Sequence, residues 1–161
     1  MQMRSIGAAL FLLILAPSLV HADQIDDLIT QGIEALYSVR FDAATKSFDA
    51  AIAADPNDPR GHFFRSTLHL WSYVFDRRPE QLDQFLRRTD KTIQIASSRD
   101  DSRSRLFLGM AYGYKAIANG RAENFSAAAV SGRTCYEKLE SLVDDDPTAY
   151  DAYLGLGIFH F

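Results

Sequence analysis

The chain holds a single cysteine, Cys135, among its 161 residues, so an internal disulfide is impossible and stability must come from a packed core. Free cysteine is one of the most buried residue types, and Cys135 is read as a small apolar core residue rather than a reactive thiol. Proline and glycine are also scarce, five and nine respectively. With Ala and Leu plentiful, this favours helix over strand. Positive charge is not in excess: 17 Lys and Arg face 21 Asp and Glu, a formal charge of −4, and no basic stripe stands out. A nucleic-acid partner is therefore not expected, since it requires many phosphate-neutralising cations. The remaining composition, 47% hydrophobic and 24% charged, is that of one ordinary globular domain.

Catalytic constellations are missing too. No His-Glu-x-x-His occurs among His21, His62, His69 and His160, which excludes the usual zinc-protease arrangement. His62 and His69 lie two helical turns apart, too far for an ordinary chelate, and are read as partly exposed helix residues. There is no Gly-rich phosphate loop. Gly109 and Gly113 are four apart, which points to close helix packing. Asp144, Asp145 and Asp146 precede Pro147 and read as a solvated turn, with Asp146 or Thr148 capping the following helix. Asn124-Phe125-Ser126 fits a glycosylation acceptor, a feature of eukaryotic secretion only. No catalytic, metal or cofactor set is assigned, and the chain is not expected to be an enzyme.

The first 22 residues differ in kind from the rest. Arg4 opens them, an apolar run fills residues 6–19, and Val20-His21-Ala22 offers a small-residue cleavage site. This is the pattern of a secretory signal peptide, and its run of about 14 residues is short of the ~20 needed to span a bilayer. Cleavage after Ala22 would take the formal charge from −4 to −5. It would leave residues 23–161 as the mature domain, exported and touching a membrane only before cleavage.

Within that domain the clearest unit is residues 25–58. Two amphipathic stretches, 25–37 and 42–53, are joined by a turn at Val39-Arg40-Phe41 and stopped by Asp55-Pro56-Asn57-Asp58. Gly32 is followed at 12, 4, 3 and 5 residues by Ala44, Phe48, Ala51 and Pro56. Gly32 and Ala44 are small where two helices cross, Phe48 fills the space between this pair and the next, Ala51 admits the next unit, and Pro56 ends the helix. A second unit, 59–101, has Ser66 34 residues after Gly32. It reads as a helix over 60–75 and a second one with Leu82, Leu86, Thr89, Ile93 and Ala96 on its apolar face. A third, 102–149, has Gly109 at its crossing, then Cys135, Leu139, Leu142 and Pro147 at spacings of four, three and five. Gly109 and Cys135 are 26 apart rather than twelve, enough to lengthen both helices by about two turns. A fourth, 150–161, has Leu156-Gly157 at the crossing and stops at Phe161, inside a first helix. The chain is accordingly expected to be a fragment of a longer protein.

This series resembles the tetratricopeptide repeat family, whose unit is about 34 residues, and the Ala152 to Gly157 run is similar to exported bacterial members of unassigned function. The resemblance implies an all-α fold, an α-solenoid of antiparallel helix pairs with about three and a half repeats. It also implies a concave groove lined from each first helix: Ile29, Ile33, Leu36 and Tyr37; Phe63, Thr67, Leu70 and Trp71; Leu106, Met110, Gly113 and Tyr114; then Leu154, Ile158 and Phe161. These are nearly all apolar. Ile29 and Ile33 stand where carboxylate-clamp members carry Lys and Asn, so that role is not carried over. The expected function is a periplasmic or secreted protein-interaction scaffold, binding an apolar or amphipathic peptide by shape and without cofactor. The alternatives are the repeat region of a longer envelope protein or enzyme, and a small-molecule or lipid carrier.

Overall fold

The computed structural model describes residues 16–158, and side chains of residues 24–158. Most of the expected signal peptide, with His160 and Phe161, lies outside the described residues. Among these, seven helices follow one another with no strand: α1 (Ala16–Tyr37), α2 (Phe41–Ala54), α3 (Pro59–Asp76), α4 (Pro79–Ser97), α5 (Ser102–Arg121), α6 (Phe125–Asp145) and α7 (Tyr150–Gly157). The described part of α1 begins upstream of residue 25, so the expected cleavage point after Ala22 falls within a helix. No described helix is long and apolar enough to cross a membrane.

Each helix packs against the next, and the short connections make neighbours antiparallel. α1 also touches α3, α3 touches α5 and α5 touches α7, whereas among the described residues no two even-numbered helices meet. The stack therefore bends toward its odd-numbered side. α6 has 21 residues against 14 in α2, the two extra turns that the spacing of the third unit called for. But α5 with 20 residues is no longer than α1 with 22, so the expected lengthening of both helices holds for the second alone.

The crossings explain the small residues. A Cβ on Gly32 would run into the Phe48 ring, with Cδ1 at 2.6 Å. One on Gly109 would meet Cγ of Leu139 at 2.7 Å, and one on Gly113 would meet Sγ of Cys135 at 3.0 Å. Ser66 and Thr89 make the same approach between α3 and α4, their hydroxyls 3.5 Å apart. Ala51 lies under α3, where a Cβ on Gly61 would press on Ile52. The fourth crossing differs from expectation. Gly157 has nothing within 4 Å of its missing Cβ, and it is Gly155 that meets Leu139, at 2.5 Å. One Leu139 thus serves two glycines on successive odd helices. The apolar face of α4 is also rotated: Leu82, Phe85, Thr89, Thr92, Ile95 and Ala96 are buried, while Leu86 and Ile93 are only partly so.

Burial makes Cys135 a core residue, 3% exposed, and pushes its thiol up to about 11, a backbone hydrogen bond with Gly113 offsetting little of this. Neither Asp146 nor Thr148 caps α7. Its N-cap is Ala149, and Asp146 instead accepts from the Thr148 backbone N–H and hydroxyl and from the Ser102 hydroxyl. α3 is capped by Asp58, which accepts from the Arg60 N–H at 2.9 Å and binds the Arg60 guanidinium. Arg60 also donates to Asp26, 34 residues back in α1, tying the first two helix pairs together. Burial works against the Asp58 carboxylate, yet Arg60 holds its pKa below the ordinary value.

The three turns within the pairs share one device. Val39, Arg77 and Glu123 each have φ between 56° and 59°, and none is glycine. At two of them the chain closes as a Schellman motif: the Arg40 N–H donates to Ala35 O and the Val39 N–H to Leu36 O, repeated by Asn124 to Asn119 and Glu123 to Gly120. A β-branched residue is the costliest choice for this left-handed conformation. Val39→Gly is expected to stabilise the fold by about 0.5–1 kcal/mol, read as a higher urea midpoint with an unchanged m-value.

Candidate functional site

On the inner, odd-numbered side the structure holds an open cleft of about 390 Å³ between α1, α3 and α5. α1 contributes Ile33, Leu36 and Tyr37, α3 contributes Phe63, Thr67 and Trp71, and α5 contributes Met110 and Tyr114. Helical spacing places each set on one stripe, since residues three and four apart share a face. Eight of the positions expected in a groove are therefore brought together.

Others are not. Ile29 is 6% exposed and belongs to the core beneath α1 with Ala44, Phe48 and Ala51. Leu70 is 5% exposed and packs with Leu82, Phe85 and Ala118. Leu106 sits against the Leu139 and Leu142 cluster, and Gly113 turns toward Cys135. Each lies on the flank of its helix that meets an even-numbered neighbour. Leu154 on α7 and Ile158 just after it are exposed and do not line the cleft.

Four lining residues were missed: Val39, Phe41, Phe64 and Phe75. Phe75 follows Trp71 by one turn. Positions carried over from a 34-residue unit stop at Trp71, but α3 has 18 residues and runs a further turn. Phe41 meets Phe75 edge-to-face at 5.8 Å, closing the outer end of the cleft across the α1–α2 turn. Phe63 forms the floor, with edge-to-face contacts to Phe64, Phe107 and Tyr114 at 5.2–5.4 Å.

The polar side-chain groups of the cleft are the Thr67 hydroxyl, the tyrosine hydroxyls and the Trp71 indole N–H. The Thr67 hydroxyl is turned inward, donating to Phe64 O at 2.9 Å. Burial holds the Tyr114 hydroxyl above the ordinary phenol range, and Tyr37 adds to the effect. The mouth is aromatic and open, with Tyr37 84% and Phe75 65% exposed. Nothing in it is poised for acid–base or nucleophilic chemistry. A second, polar hollow of about 550 Å³ lies where α4, α5 and α6 meet. There Arg105 donates to Asp145 at 2.7 Å and to Ser141 O at 3.0 Å. Among the described residues no group of three His, Cys, Asp or Glu side chains is placed to hold a metal ion.

Fold and cleft together define an all-helical protein of packed adjacent helix pairs with an open aromatic cleft on its inner side. The sequence matches no protein-family model and no curated protein.

Proposed function

We propose that this chain is a tetratricopeptide-type α-solenoid of the exported bacterial kind, acting as a non-catalytic scaffold. The cleft between α1, α3 and α5 receives an apolar or amphipathic peptide segment. The observation that carries this reading is the open aromatic mouth: Tyr37, Trp71 and Phe75 are 84%, 42% and 65% exposed around an apolar floor. Clustered exposed aromatics of this size mark a docking surface. They offer large contact area at low entropic cost. A small molecule enclosed in about 390 Å³ would leave Tyr37 and Phe75 uncovered, whereas one face of a peptide helix would cover floor and mouth together. The secretory pattern of residues 1–22 supports a periplasmic or secreted location.

Trp71 is the chain's one tryptophan, so its fluorescence reports on the cleft alone. A 16-residue amphipathic helical peptide is expected to shift the emission to the blue with saturation, in the micromolar range typical of small interfaces. A scrambled peptide without an apolar face is expected to leave it unchanged. Equal responses to both peptides, or to neither, would sink the reading.

A further inference from the structure

The cleft between α1, α3 and α5 carries a polar pattern as well as an apolar floor. Trp71 stands one turn beyond Thr67 on α3, and its indole N–H can only donate. Tyr37 enters the cleft from α1 and Tyr114 from α5, and a phenol hydroxyl both donates and accepts. The Tyr114 ring is held edge-on against Phe63 at 5.4 Å. Burial, and after it Tyr37, favours the protonated form of the Tyr114 hydroxyl. Thr67 is 3% exposed and its hydroxyl is committed to Phe64 O at 2.9 Å. The side-chain groups of Trp71, Tyr37 and Tyr114 have no hydrogen-bond partner among the described residues. Among those residues no buried side-chain nitrogen or oxygen lacks a partner, so all three groups are open to solvent in the free chain.

Docking takes that solvent away. A wholly apolar helix face laid over the cleft would leave the three groups covered and unpaired, which costs more than the hydrogen bonds are worth in water. A helix satisfies its own backbone internally, so the partner group has to come from a side chain. No residue lining the cleft is charged. A Lys or Glu side chain would therefore enter without a counter-charge, and burying it costs far more than burying an amide. A primary amide fits the pattern. Its carbonyl accepts from the Trp71 N–H and one tyrosine hydroxyl, and its NH2 donates to a tyrosine oxygen.

We infer that the cleft selects a peptide helix with a Gln or Asn set within its apolar face, read by Trp71, Tyr37 and Tyr114. The inference rests on the peptide-binding reading of the cleft and adds a chemical filter to it. Apolar contact supplies the affinity. The donors supply the choice, because a site built to hydrogen-bond a group rejects the analogue that lacks it.

The test takes a labelled amphipathic helical peptide and replaces each residue of its apolar face in turn by Met, Gln, Glu or Lys, with anisotropy as the readout. In one register the Gln peptide is expected to bind at least as tightly as the Met peptide, and the Glu and Lys peptides more weakly than both. Tyr114→Phe keeps the ring and removes the hydroxyl. It is expected to weaken that Gln peptide about fivefold, one net hydrogen bond, and to leave the Met peptide within about twofold. Tyr37→Phe, at the exposed side of the cleft, is the second variant, with the same pattern expected. If Met binds better than Gln in every register, or both variants affect the two peptides alike, the inference fails and the cleft remains a peptide site. A Lys peptide that binds tightest would overturn it in favour of a cation read by the aromatic faces. If no peptide of the set binds, the underlying reading of the cleft fails as well.

Discussion

Replacing Phe48 with alanine is expected to cost about 3–5 kcal/mol of stability, the range for a buried aromatic that leaves a cavity. Phe48 is 0% exposed and stacks on Phe64 at 5.6 Å, and Phe64 in turn meets Phe107 of α5 at 5.8 Å. The loss would spread from the first pair into the second and third. Gly32 sharpens the test. Gly32→Ala pushes a methyl into the Phe48 ring and is expected to cost about 1–3 kcal/mol in the parent chain, as overpacking does. In the Phe48→Ala background the same methyl enters empty space and is expected to be neutral or stabilising. Urea unfolding of the four chains would then give a coupling energy of about 2 kcal/mol, well outside the additivity of distant sites. Additive losses would show that α1 can move off α2 at no cost, and that the glycine is not there for the aromatic.

The crossing of α1 and α2 was legible in the sequence because it is local: Gly32 and Ala44 fall in one unit, and the periodicity of 25–37 and 42–53 sets the two stretches side by side. That Gly32 would meet the Phe48 ring was not, since Phe48 was assigned to the space between this pair and the next. The longer second helix of the third unit was legible too, from the 14 surplus residues between Gly109 and Cys135, but not that α5 would be no longer than α1. What failed were phases and longer-range choices. The face of α4 was set too far round because Phe85 and Ile95 were passed over for Leu86 and Ile93; a helix rich in both Leu and Thr leaves its buried side to its neighbours. Gly157 was chosen over Gly155 because spacing alone cannot tell which of two nearby glycines meets Leu139. Ile29, Leu70 and Leu106 were placed in the groove by analogy, but helix pairs of unequal length pack their flanks more fully than 34-residue units do.

The aromatic mouth gives the other large expected effect, this time on binding. Trp71→Ala and Tyr37→Ala are each expected to weaken an amphipathic peptide by about 30-fold or more, the ~2 kcal/mol that marks an aromatic anchor. The measurement is the anisotropy of a labelled peptide, since Trp71→Ala removes the intrinsic reporter. Stability separates anchor from core. Tyr37 is 84% exposed, so its loss should move the unfolding free energy by no more than about 0.5 kcal/mol. Phe63 supplies the opposite control. It lines the same cleft but is 2% exposed and wedged among Phe64, Phe107 and Tyr114, so Phe63→Ala should cost stability on the scale of Phe48→Ala. A Tyr37→Ala chain that binds as the parent does would reduce the cleft to an uncovered piece of core. A chain that keeps its stability and loses its peptide would show that the floor is there for the fold and the mouth for the partner.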